Sequence, residues 1–266
     1  LDAQRLTRDG KVLASALVLS HDSQLDVLKS QCPEAMPVAV VAGDPCFDRL
    51  IASLPWRARY RSALGVPPGP EFLVVSSTWG RHGLFGHYRE LLPWIMSELP
   101  ADRFRVAALL HPGVWSAHGR RQVKAWLSEC RASGLVLIEP ETDWRAALVA
   151  ADHVIGDHGS VTAYAAAIGR RVLHLPPPLS VLPAPGSAQA LVASDASRLD
   201  PARPLLDQLR SARTIDREAV AGRLTSRPGH AEPALRRAMY RLLKLSEPDN
   251  VRRPVPVPVA SRARGV

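Results

Sequence analysis

No run in this 266-residue chain approaches the ~20 consecutive apolar residues that a bilayer-spanning helix needs. Its first residues do not follow the basic-then-apolar pattern of a leader either. Cysteine is scarce: Cys32, Cys46 and Cys130 are too few and too scattered for a disulfide frame, and no CxxC pair offers a metal ligand set. A reducing, cytoplasmic setting is expected, with contact at the inner face of a membrane left open. Several catalytic signatures are also missing. Without GxxxxGK[ST] a P-loop nucleotidase is excluded, and no GxGxxG follows a strand as a dinucleotide oxidoreductase would require. Gly159-Ser160 lacks the glycine two residues further on that a nucleophile elbow needs. His82 and His87, like His111 and His118, miss the i, i+4 spacing of HExxH and have no companion carboxylate, so neither a metal site nor a cofactor is expected.

What the chain does have is 46% apolar and 22% charged residues, a globular balance, and a formal charge of +9. The arginines are spread along the whole length in short doublets such as Arg120-Arg121 and Arg252-Arg253, and no aromatic-interleaved basic stripe appears. Attraction to anionic substrates or to an anionic membrane surface accounts for the charge as well as nucleic acid does, and specific nucleic-acid binding is not expected.

Apolar periodicity divides the chain. Val12–Leu19 and Val38–Ala42 read as strands, with helices over 21–31, 48–54 and 57–64. The breaker run Val66-Pro67-Pro68-Gly69-Pro70 marks a domain boundary. Beyond it, strands at 72–76, 105–110, 135–138, 151–155 and 172–175 alternate with helices at 91–99, 120–133, 144–150 and 161–168. Such alternation predicts an α/β domain: a Rossmann-like parallel sheet with helices on both faces. The expected layout is 1–64, the end of a first Rossmann-like domain; 65–206, a second; 207–248, packing helices; and 249–266, a disordered Pro/Arg tail. A Pro-rich crossing segment covers 176–186. Because the chain opens on Leu1 rather than Met, a larger N-terminal portion is expected to precede it.

The most informative stretch is the turn Gly156-Asp157-His158-Gly159-Ser160 between a strand and a helix. A helix start there leaves N–H groups unpaired at the positive end of its dipole, which suits a phosphate. An ordinary helix cap is the alternative. Polar residues also follow the other strands: Ser77-Thr78, His111-Pro112-Gly113 and Glu139. Ligands of such sheets bind at the carboxyl ends of the strands. His111 is placed to face that crevice, as donor to a phosphate oxygen or as acid/base. Trp79 and Trp115 either stack on a base or pack against the loops.

In order, Gly43-Asp44-Pro45-Cys46-Phe47-Asp48-Arg49-Leu50, Ser76-Ser77-Thr78-Trp79-Gly80, His111-Pro112 and Ala151-Asp152-His153-Val154-Ile155-Gly156-Asp157-His158-Gly159-Ser160 resemble a known series. It is the G-x-P-x-x-D, (A/S)-x-T-W, H-P and A-D-x-x-I-x-D-x-(S/G)-S set of CDP-glycerol glycerophosphotransferases, within a wider GT-B group that includes UDP-N-acetylglucosamine 2-epimerases. The resemblance implies a C-terminal GT-B donor domain preceded by the end of the first domain. It implies that Ser77, Thr78, His111, Asp157, His158, Gly159, Ser160 and Val161 bind a nucleotide-diphosphate donor, CDP-glycerol or a UDP- or other sugar nucleotide, without metal. A glycerophosphate or glycosyl group would pass to a cell-envelope acceptor. An epimerase-like reaction, a non-catalytic GT-B-like role and a basic nucleic-acid binder are the alternatives. Gly159 stands where the family has the first of two serines, and His158 where it has tyrosine. The acceptor-activating His-Gly motif of the family's first domain has no match here, so no catalytic residue is assigned, and the chain alone is expected not to turn over.

Overall fold

The computed structural model describes residues 1–176, 182–250 and 253–259. Part of the expected crossing segment and half of the expected tail lie outside these. The chain divides into two compact units: Leu1–Ala52 with Gly222–Pro256, and Ser53–Ala221 with Val257–Val266. The break falls before the breaker run at Val66–Pro70. The helix Arg57–Ala63 belongs to the second unit because its Arg57 and Arg61 both bond the Asp152 carboxylate, at 2.6 and 2.8 Å. Among the described residues no helix is long and apolar enough to cross a membrane.

In the first unit, strands β1 (Thr7–Arg8) and β2 (Lys11–Val12) form an antiparallel hairpin. Asp9 and Gly10, both at positive φ, make its two-residue turn, the geometry that Asp-Gly favours. The single strand expected over 12–19 is thus interrupted, and its second half is β3 (Leu17–Leu19), paired in parallel with β4 (Ala39–Val41). Leu19, Leu28, Cys32 and Ala35 form the core of this region. The Gly43–Leu50 segment is a folding device. Asp44 accepts from the Cys46 and Phe47 N–H groups and caps the helix Pro45–Ser53, with Pro45 in the first turn, where its missing N–H costs nothing. Asp48, buried, accepts from Gly229 and Ala231 N–H and so starts the helix Ala231–Leu243. Of the apolar residues at helical spacing in that packing helix, Leu235 is half-buried while Met239, Leu242 and Leu243 are exposed, and the buried positions are Ala231 and Ala238.

The second unit is built on a six-stranded sheet. Its strands are β5 (Glu71–Ser77), β6 (Phe104–Leu110), β7 (Val136–Ile138), β8 (His153–Gly156), β9 (Arg171–His174) and β10 (Ser197–Arg198). They lie in the order β10-β9-β8-β5-β6-β7, all parallel. Phe72 to Ser77 are buried without alternation because helices cover both faces. The chain begins in the middle at β5, builds outward to β7, then returns to β8 on the other side of β5. This is the doubly wound Rossmann order, and β5/β8 is its switch point, where such sheets open a crevice. The expected α/β architecture is therefore the observed one.

Local boundaries differ in places. The helix expected over 120–133 is two, Arg120–Trp126 and Ser128–Ala132, and Pro112–His118 precedes them. In the segment read as a tail, Val257 is buried: its N–H donates to Ser53 Oγ at 2.9 Å, and Tyr60 O–H donates to its carbonyl at 2.6 Å. One apolar side chain with both backbone groups paired is enough to order that point.

Asp152 fixes the amino end of the sheet by accepting from Phe72 N–H as well as from the two arginines. Burial alone would raise its carboxyl; the Phe72 N–H bond and the Arg57 and Arg61 charges outweigh that and hold it below the ordinary aspartate value.

Candidate functional site

At the opposite end of the sheet lies a cavity of about 300 Å³, formed where β5, β6, β7 and β8 finish. Each strand end contributes: Ser76, Ser77 and Thr78 after β5, His111 after β6, Glu139 and Thr142 after β7, and Gly159, Ser160 and Val161 after β8. The register makes this convergence unavoidable, since Ser77 pairs with Leu110 and Ser76 with Gly156.

The turn after β8 is organised by Asp157, which is buried. Its Oδ2 accepts from Thr78 N–H at 2.9 Å, Thr78 Oγ1 at 2.8 Å and Leu84 N–H at 2.9 Å, and its Oδ1 accepts from Gly159 N–H at 3.1 Å. The carboxylate thus ties the β8 turn to the β5 loop. Its charge is spent on these four donors, and the residue does not border the cavity. Both glycines of the turn are needed for space. A Cβ on Gly156 would run into Thr162 Oγ1, and one on Gly159 would meet Thr78 Cγ2 at 2.6 Å.

The helix Ser160–Ala167 begins at Gly159 without a side-chain cap. Ser160 is its first residue, exposed, and not the capping residue. The first intrahelical-type bond is from Thr162 N–H to Gly159 O, which leaves the Ser160 and Val161 N–H groups without partners among the described residues. Both residues border the cavity, so open donors and a helix dipole face one space.

The other expected residues divide. Ser77 Oγ donates to Thr78 O at 2.7 Å and accepts from Phe85 N–H at 2.8 Å, so this hydroxyl and that of Thr78 are engaged in holding the loop. His111 starts the helix Pro112–His118, its Nδ1 accepting from Gly113 N–H at 3.0 Å; in the neutral ring Nε2 then carries the proton, and the residue is exposed at the cavity. His158 does not border the cavity, and its buried Nδ1 has no partner among the described residues. Trp79 lies on the backbone of Gly113, whose Cβ would meet its ring at 2.9 Å, yet stays 59% exposed. Trp115 is buried in the core. Trp144, which also borders the cavity, carries no signal in the sequence beyond being the first apolar residue of a helix capped by Asp143. The Glu139 carboxylate is held below the usual range by hydrogen bonding to Lys124, 2.6 Å away, with the Arg120 charge adding to it, so its charge is countered within the rim. Among the described residues no three His, Cys, Asp or Glu side chains gather as a metal site would require.

No protein-family model matches the chain, and no curated protein is similar to it in sequence. Solved structures are similar in fold. A variant of the wall teichoic acid polymerase TagF matches with a TM-score of 0.55 at 13% identity, over 86% of this chain and 59% of that one. UDP-GlcNAc 2-epimerase from Neisseria meningitidis, bound to UDP-GlcNAc, matches with a TM-score of 0.52 at 16% identity, over 86% of this chain and 62% of that one. The chain thus spans less than two thirds of either, and what it shares with them is the GT-B type of Rossmann-like architecture.

Proposed function

We propose that the cavity at the β5–β8 strand ends binds the diphosphate of a nucleotide donor, and that the chain is the donor-binding part of a transferase. The group moved would be a glycerophosphate or glycosyl unit, from CDP-glycerol or a sugar nucleotide, to a cell-envelope acceptor. One observation carries the reading: the uncapped start of the helix Ser160–Ala167 opens into that cavity with two free N–H donors. Charge that develops on the leaving nucleotide would be met by these donors, by the Ser160 hydroxyl and by His111 Nε2–H. Asp157 acts behind them by fixing where they point. The fold shared with TagF supports a transferase, and that shared with the epimerase supports an epimerase-like use of the same donor site.

The phosphate chain is the discriminating feature of the ligand. Titration with CDP, CMP and cytidine should show affinity falling on the order of tenfold or more for each phosphate removed, since each loses charge-assisted hydrogen bonds. Equal affinity for CDP and cytidine would refute a diphosphate site.

A further inference from the structure

Away from the strand-end cavity, a second concavity of about 420 Å³ opens beside the edge strand β10. Arg198, Arg203 and Arg213 line it together with Ser194, Ser197 and Ser211, and no carboxylate is among its walls. Elsewhere in this unit the chain couples its arginines to acids: Arg57 and Arg61 to Asp152, Arg120 to Glu139, Arg145 to Asp143. The three guanidinium groups here make no ion pair or hydrogen bond among the described residues, and all three residues are exposed.

Like charges are held together here by dedicated backbone bonds. Gln208, only 4% exposed, accepts from Asp200 N–H at 2.8 Å and donates to Asp200 O at 2.8 Å and to Arg203 O at 2.9 Å, which fixes the turn that carries Arg203. Ser197 Oγ accepts from Arg213 N–H at 2.9 Å, so β10 anchors the third arginine while that hydroxyl keeps its own proton to donate. Arg198 is set by its register opposite His174. Three unpaired planar forks around one hollow, carried on backbone that the fold holds in place, match the oxygens of a phosphoryl group.

We propose that this hollow is a second anion site, which binds a phosphoryl group independently of the strand-end cavity. The phosphoryl group can belong to a free phosphate compound or to a lipid headgroup, and the two sources are separable. Inorganic pyrophosphate titrated calorimetrically into the full chain should bind, and Arg198→Gln/Arg213→Gln should weaken that binding on the order of tenfold or more. Because pyrophosphate also suits the strand-end cavity, the titration is repeated in a Ser160→Ala background: the binding that remains should still be lost with Arg198 and Arg213. Co-sedimentation with phosphatidylcholine vesicles that contain phosphatidic acid, using the same variants, reads the lipid arm: loss of sedimentation in the arginine variant without pyrophosphate binding assigns the site to a headgroup. Should the double variant not melt cooperatively, Arg203→Gln, on an exposed turn, gives the same reading. Pyrophosphate and vesicle binding that are both indifferent to these arginines would overturn the proposal.

Discussion

Asp157 and Ser160 stand three positions apart in one turn and have opposite assignments. Asp157 is spent on structure: four donors converge on its buried carboxylate, and three of them are backbone N–H groups of two different loops. Replacing it by alanine strands those groups, at about 1–3 kcal/mol for a buried donor left unpaired. Urea denaturation should therefore show Asp157→Ala less stable by at least ~3 kcal/mol, with nucleotide affinity reduced because the Ser160 and Val161 donors lose their orientation. Asp157→Ala with unchanged stability and tighter nucleotide binding would contradict this. Ser160 has no cap to lose. Ser160→Ala should change stability by less than ~0.5 kcal/mol while still weakening CDP and UDP binding, a split that a purely structural serine would not show. Gly159→Ala belongs with Asp157, because its methyl would stand 2.6 Å from the methyl of Thr78 and force the two loops apart.

Among elements, strands long enough to be buried on both faces are legible in the sequence, since Phe72–Ser76 and Arg105–Leu110 are runs that only a covered parallel sheet accepts. β10 is not: two residues with a half-exposed pattern are recruited only because β9 offers an open edge. Helix ends set by distant residues are equally invisible. Nothing local tells that Asp48 serves Gly229 and Ala231, and Asp48→Ala should unfold the start of the helix Ala231–Leu243, seen as early amide exchange over 229–234. Acid sensitivity also belongs to elements. His174 in β9 is pushed below its ordinary value by burial, with Arg198 and His158 adding and Asp157 opposing. The unfolded chain then binds the proton more readily, so stability falls as pH drops through about 6.5. Asp152, held below 3.8, contributes stability above that value, and the contribution is lost as pH falls toward its folded-state pKa. A stability–pH profile should show two descending limbs, the upper flattened by His174→Gln and the lower by Asp152→Asn. An unchanged upper limb in His174→Gln would contradict the burial argument.

For the whole molecule, the sequence spoke most clearly where chemistry and chain punctuation coincide, as at the β8 turn, and least clearly about ties between distant segments. The helix Arg57–Ala63 stands before the breaker run at Val66–Pro70, yet its Arg57 and Arg61 reach Asp152 far along the chain. Of the residues singled out for a donor, Ser160, Val161 and His111 offer donors to the cavity, while Ser77, Thr78 and Asp157 build the loops that present them. The central claim is that helix start, hydroxyl and imidazole suffice for a diphosphate, with no divalent ion needed to bridge it. Calorimetric titration of CDP and UDP into the full chain in EDTA tests it most directly. The account predicts binding in EDTA that Ser160→Ala weakens and that magnesium or manganese leaves unchanged; binding that appears only when the metal is added would contradict it.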